Sequence, residues 1–187
     1  TPGNWNVAQT VTVTGVDDAL DDGDIGSTIT LSVVDGSSDD TFDAVADQTV
    51  SVTTTDDDGS GFVINQTGGA TSVNEPGTTD TFTVVLTAQP TSDVVISVIS
   101  SDTTEATVSA ATLTFTSANW NTAQTVTVTA VDDFLDDGDI NSTITLSIVD
   151  GSSDDTFDVL ADQTVGVTTI DNDASGFVVT QSSGSTV

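Results

Sequence analysis

Residues 124–149 read QTVTVTAVDDFLDDGDINSTITLSIV, two alternating segments separated by a loop dense in aspartate. In the first segment Val126, Val128 and Ala130 fall on one face, and Thr125, Thr127 and Thr129 on the other. In the second, Ile144, Leu146 and Ile148 share a face. Successive side chains of a strand point to opposite sides of its sheet, so this pattern predicts two half-buried β-strands. The loop between them holds Asp132, Asp133, Asp136, Asp137 and Asp139, with Gly138 permitting a tight turn.

The same alternation extends outward. Residues 79–87 (TDTFTVVLT) align Phe82, Val84 and Leu86, and residues 93–100 (DVVISVIS) align Val94, Ile96 and Val98. Shorter strands are predicted at 61–66, 70–74, 106–108, 112–116 and 163–170. No apolar period of 3.6 residues persists for a useful length, so almost no helix is expected. About seven strands in some 115 residues, joined by turn chemistry, predict an all-β protein built of antiparallel, Ig-like β-sandwiches.

An internal repeat sets the organisation. Residues 4–66 match residues 119–181 at a shift of 115, with 50 of 63 positions identical. That period is too long for a solenoid repeat and suits a whole domain. The expected division is a C-terminal half-repeat at 1–58, a complete repeat at 59–174, and the first strand of another repeat at 175–187. A half-repeat alone leaves a sheet face and edge uncovered. Each is expected to be completed by further chain or by a neighbouring molecule.

The chain has 28 Asp, 2 Glu and no Lys, Arg or His, a formal net charge of −30. Two carboxylates about 4 Å apart repel by roughly 4 kcal/mol at the effective dielectric of a protein surface. Packed clusters of them call for cations from outside, and hard divalent ions with oxygen ligands are the natural candidates. Nucleic acid is excluded as a direct partner, because nothing here neutralises phosphate. Cysteine is absent, so no disulfide framework exists. No signal peptide or apolar run of membrane-spanning length is visible. The lack of Lys and Arg removes every trypsin-type cleavage site. Together with the calcium chemistry, this favours an extracellular or cell-surface setting.

Residues 61–173 resemble the Calx-beta domain, a calcium-binding β-sandwich of sodium/calcium exchangers and of tandem arrays in large bacterial surface proteins. The matching pieces are SVNEPG with Glu75, SSDTTE with Asp102, the loop VDDFLDDGD after TVTVTA, and the closing IDND. The resemblance implies clustered calcium at the domain tip, held by Glu75, Asp102, Asp132, Asp133, Asp137, Asp139, Asp171 and Asp173. In the preceding partial unit it implies Asp17, Asp18, Asp22, Asp24, Asp56 and Asp58. Asn172 departs from the acidic terminal triplet that Asp57 completes in the other copy.

Other motifs carry less. DFLDDG places Gly at the sixth position, as an EF-hand loop does, but Leu135 and Ile144 occupy its third and twelfth. Asp39, Asp40, Asp43 and Asp47, with their equivalents Asp154, Asp155, Asp158 and Asp162, lie in a hairpin-like connection and read as solvated turn residues. Without His, Cys, Lys, Arg or Tyr the chain lacks the usual catalytic bases and every cationic stabiliser, so no enzyme is expected. Trp5 and Trp120 read as structural. Asn65-Gln66-Thr67 and Asn141-Ser142-Thr143 are glycosylation sequons. The expected role is a calcium-binding structural repeat of an adhesin stalk or matrix filament, with adjacent repeats and neighbouring copies as partners. The alternatives are an ice- or glycan-binding module using Thr-rich faces, and a non-catalytic accessory domain of a secreted enzyme.

Overall fold

The alternating segments become strands within a residue or two of their expected bounds, and the apolar face of each turns inward. The structure is a computed structural model that describes residue 1 and residues 3–180. The chain divides into two compact units, Thr1–Asp58 and another from Gly59 onward.

The second unit is a β-sandwich of nine strands, which follow two strands in the first unit. They are β3 (Phe62–Gln66), β4 (Thr71–Asn74), β5 (Thr79–Leu86), β6 (Val94–Ser100), β7 (Ala106–Val108), β8 (Thr112–Phe115), β9 (Gln124–Ala130), β10 (Ile140–Ile148) and β11 (Gln163–Ile170). One sheet runs β4-β11-β10-β6-β8 and the other β3-β5-β9-β7. All pairs are antiparallel except β11 with β4, which run parallel. No α-helix occurs among the described residues.

The core lies between the two sheets. Phe82 and Val84 of β5 and Val126 and Val128 of β9 meet Ile96 of β6 and Leu146 of β10, all fully buried. Phe115 and Phe157 close the core, and Trp120 packs against it partly buried. Burying side chains of this size stabilises by about 1.5–3 kcal/mol each. β9 draws residues onto both of its edges, since β5 and β7 flank it. Its Val/Thr alternation reflects its two faces: Val126, Val128 and Ala130 turn into the core and the threonines between them turn outward.

The first unit holds a single hairpin, β1 (Ile25–Leu31) with β2 (Gln48–Thr54), in register Ile29↔Val50. Its stretch TVTVT at 10–14 forms no strand, although the same residues make β9 in the second unit. A strand requires a partner for its backbone groups, and the segments that flank β9 have no counterpart in residues 1–58. Residues 175–180 are likewise without strand structure, and 181–187, the rest of the expected further strand, lie outside the described residues.

Candidate metal centre

The parallel pairing of β4 with β11 brings Glu75 to the end of β11. The Glu75 N–H donates to the Ile170 carbonyl at 3.1 Å, which sets Glu75 beside the terminal segment Asp171–Asp173. Glu105 arrives from the other sheet. Its carbonyl accepts from the Val131 N–H at 2.8 Å and from the Thr169 hydroxyl at 3.4 Å, so it is pinned between the ends of β9 and β11.

The β9–β10 loop folds onto these ends through its own carboxylates. Asp133 Oδ1 accepts from Leu135 N–H at 2.7 Å, and Asp139 Oδ1 accepts from Asp171 N–H at 3.2 Å. Asp171 in turn accepts from Gly138 N–H at 2.8 Å and from Asp173 N–H at 2.7 Å. Gly138 sits at φ 77°, in the left-handed region where a side chain is strained, which lets its N–H face Asp171. Asp136 accepts from the Ser175 N–H at 2.6 Å and so holds the chain that leaves the tip.

Two carboxylate triads result. One oxygen each from Glu75, Asp133 and Asp173 lie within 4.8 Å of one another, and so do oxygens from Glu105, Asp133 and Asp137. Oxygens that share a calcium ion at 2.3–2.6 Å stand no farther apart than about 5 Å, so both triads have the spacing of a coordination shell. Asp133 belongs to both. Glu75 is 8% exposed and its Oε2 has no hydrogen-bond partner; Asp173 Oδ2 is buried without one as well. A buried unpartnered carboxylate oxygen is costly, and an ion is the ligand whose charge and oxygen preference match it.

Electrostatics point the same way. Burial pushes Glu75 above the usual carboxylate range, and the charges of Asp133, Asp171 and Asp132 add to it, against one favourable contact from the Asn172 backbone. Burial likewise raises Glu105, reinforced by Asp137, Asp102, Glu75 and Asp133. Asp173 is raised by burial and then by Asp171, Asp132, Asp133 and Asp136. Three carboxyls at one tip therefore resist ionisation unless a cation is close.

Six of the eight residues expected in the complete unit build this tip through the triads or their hydrogen bonds: Glu75, Asp133, Asp137, Asp139, Asp171 and Asp173. Asp132 lies near enough to raise Glu75 and Asp173. Asp102 lies outside both triads, although its charge helps to raise Glu105. Its Oδ1 accepts from the Thr104 hydroxyl at 2.6 Å and the Thr104 N–H at 3.0 Å, which lower its pKa and commit that oxygen to a turn. Glu105, three residues on, takes the place in the cluster. The signal for it lay in composition: of 30 acidic residues two are Glu, and both are buried at this tip.

The first unit repeats the loop skeleton without Glu75 or Glu105. Asp56 accepts from Gly23 N–H at 2.6 Å and from Asp58 N–H at 2.9 Å, Asp24 accepts from Asp56 N–H at 3.0 Å, and Asp18 accepts from Leu20 N–H at 2.9 Å. Among its described residues the triad is Asp17, Asp57 and Asp58. Asp22 lines the same groove as these residues. Burial, then Asp57 and Asp56, raises Asp58.

Asp154 differs from its expectation as a solvated turn residue. It is buried, and its Oδ2 accepts from Thr91 N–H at 2.7 Å, the Thr91 hydroxyl at 2.6 Å and Ser92 N–H at 3.0 Å. Its Oδ1 accepts from the Thr156 N–H and hydroxyl at 3.1 and 2.8 Å. Burial alone raises such a group, but these donors outweigh it and hold Asp154 well below the usual range. It is a structural anion that stitches the β5–β6 connection to the β10–β11 connection.

The outer face of the β3-β5-β9-β7 sheet carries a threonine ladder. Thr79, Thr81 and Thr83 stand opposite Thr129, Thr127 and Thr125.

No known family model matches the chain, and no curated protein matches it. Among solved structures, domains 4 and 5 of the S-layer protein SbsC align at 22% identity and TM-score 0.41, over 68% of this chain and 54% of that one. The PapD-like domain 7 of human CEP192 aligns at 12% and 0.43, over 61% and 87%. SSP-19, an MSP-domain protein of Caenorhabditis elegans, aligns at 15% and 0.36, over 54% and 92%. The likeness is to Ig-like β-sandwich domains.

Proposed function

We propose that this chain is a calcium-binding structural repeat of the Calx-beta type, working in a long extracellular surface or matrix protein without catalytic activity. The observation that carries the reading is Glu75, almost fully buried, with Oε2 unpartnered and one of its carboxylate oxygens within 4.8 Å of oxygens of Asp133 and Asp173. Glu75, Glu105, Asp133, Asp137 and Asp173 would hold calcium, with Asp139 and Asp171 fixing the loop by hydrogen bonds. The ion supplies positive charge where three carboxyls resist ionising. It ties the β9–β10 loop to the segment after β11, so it stiffens the place where the chain leaves the sandwich. An S-layer neighbour is in keeping with a surface role.

Thermal melts of the intact chain in calcium, magnesium and chelator test this. Extracellular calcium modules bind at about 0.1–1 mM, so several-millimolar calcium stabilises by roughly 1–3 kcal/mol per site. Melting of the second unit should rise with calcium, and Glu75→Gln should remove most of that rise. Melts that ignore calcium would overturn the reading.

The threonine ladder favours a second reading, a flat face that binds ice or a crystalline glycan. It predicts thermal hysteresis or polysaccharide retention that is lost on Thr81→Lys with Thr127→Lys and is indifferent to chelator.

A further inference from the structure

Five phenylalanines lie between residues 59 and 174. Phe62, Phe82, Phe115 and Phe157 are in the core, whereas Phe134 is 91% exposed and Leu135 beside it is 62% exposed. Both sit in the β9–β10 loop between Asp133 and Asp137, the carboxylates that this loop gives to the two triads. The other residues from Asp132 to Asp139 are aspartate and glycine. The Leu135 N–H donates to Asp133 Oδ1 at 2.7 Å, which closes a turn with Phe134 at its centre. The first copy of the loop reads VDDALDDGD, with Ala19 in place of Phe134. The second unit, a β-sandwich, follows that copy directly in the chain, so joining one repeat to the next does not call for a phenylalanine at this position.

Each triad offers one oxygen from each of three carboxylates, while calcium takes about six to eight oxygens. The triad of Glu105, Asp133 and Asp137 runs from a buried residue to an exposed one, so an ion held there is open to oxygens from outside on its Asp137 side. We infer that the β9–β10 loop is a calcium-dependent membrane-docking tip. The ion would bridge Asp133 and Asp137 to the headgroup oxygens of an anionic phospholipid, while Phe134 and Leu135 enter the boundary between headgroups and acyl chains. This rests on the calcium reading and adds a partner to it. Neither half suffices alone. At net −30 the chain is repelled by an anionic surface until the tip is neutralised. Two apolar side chains bury too little area to hold a protein on a bilayer without electrostatic attraction. An acidic polysaccharide would satisfy the ion but leave the apolar pair in water, so the lipid surface fits both observations better.

Sedimentation of the intact chain with vesicles tests this, using phosphatidylcholine alone and phosphatidylcholine mixed with phosphatidylserine. In calcium the chain should pellet with the mixed vesicles; in chelator, or with phosphatidylcholine alone, it should stay in solution. Phe134→Ala gives the loop the sequence of the first copy, so the fold should tolerate it. It should weaken vesicle binding about tenfold, the scale of burying one large apolar side chain, and leave the calcium-induced rise in melting temperature unchanged. Phe134→Trp should bind and be quenched by lipids brominated in their acyl chains, beyond any quenching of Trp5 and Trp120 in the parent chain. Binding that Phe134→Ala leaves intact means that calcium bridges carboxylates to the vesicle without insertion, and overturns the inference. Retention on polygalacturonate without binding to vesicles overturns it too. Melts that respond to calcium with no vesicle binding overturn the docking and leave the calcium reading standing, whereas melts indifferent to calcium remove both.

Discussion

Residues 4–58 and 119–173 are nearly one sequence in two surroundings. The acidic tip survives the change of surroundings: Gly23 N–H meets Asp56 as Gly138 N–H meets Asp171, and Leu20 N–H meets Asp18 as Leu135 N–H meets Asp133. The interior does not survive it. Val126 and Val128 are fully buried in a paired strand, whereas Val11 and Val13 lie exposed in chain with no strand structure. These hydrogen bonds, which span from 2 to 33 residues, lie wholly within the repeated stretch and form wherever it is present. Burial and strand pairing depend on residues elsewhere in the chain.

The sharpest way to break this comparison is a pair of identical substitutions. Leu146→Ala should cost the second unit about 2–5 kcal/mol in denaturant unfolding, the cost of a buried leucine and its cavity. Leu31→Ala should change the stability of the first unit by less than about 0.5 kcal/mol, as surface changes do. Equal effects would mean that the two environments are alike.

Next in size is the buried carboxylate. Asp154→Ala leaves buried donors of Thr91, Ser92 and Thr156 unanswered and should cost about 2–3 kcal/mol. Asp39, whose exposed carboxylate accepts from Thr41, should tolerate the same change. Because Asp154 is held below its ordinary pKa, its contribution is complete above about pH 4 and is lost as pH falls further. Asp154→Asn should therefore flatten acid unfolding below that point.

Calcium titration of the intact chain should resolve two classes of site. The second unit, with Glu75 and Glu105 added to the shared loop, should bind about tenfold more tightly than the first, since affinity follows the number of charged ligands. Glu105→Gln should draw the two classes together. A single class unaffected by that change would count against a ligand role for Glu105.

The smallest effect is a pH trend whose sign depends on the ion. Glu75, Glu105 and Asp173 are raised in the folded second unit, as is Asp158, where burial comes first and a hydrogen bond with Asp150 second. The folded state then holds protons more tightly than the unfolded one, so in chelator its melting temperature should climb as pH falls from 7 toward the ordinary carboxylate range near 4. In calcium, protons compete with the ion and the climb should shrink or reverse. Glu75→Gln should weaken the trend in chelator.

What was legible in the sequence follows the same division. Strict alternation marked β5, β6, β9 and β10 closely, because each strand buries one face against a continuous core. The loop and terminal aspartates of the tip stood out because they repeat beside strand ends, whereas Glu105 lies outside the repeat and was not among the expected ligands. Asp154 was not legible, since its donors Thr91 and Ser92 lie some 60 residues away and only the sheet topology unites them. The failure of residues 10–14 to pair was equally hidden. Their pattern is that of β9, and no local feature records that β5 and β7 are missing beside them.

The place of β11 between β4 and β10 has a mechanical meaning. Gln163 at its start donates to the Phe62 carbonyl at the beginning of β3, while its far end carries the acidic tip. At about 3.3 Å per residue, the points where chain enters and leaves the sandwich are separated by roughly the length of that strand, some 23 Å. Tension applied through them runs along β11, which is bonded to β10 on one side and β4 on the other. Both rows of backbone hydrogen bonds then lie across the pull and must shear together, so the unit is built to resist stretching where a hairpin loaded from its open end would unzip.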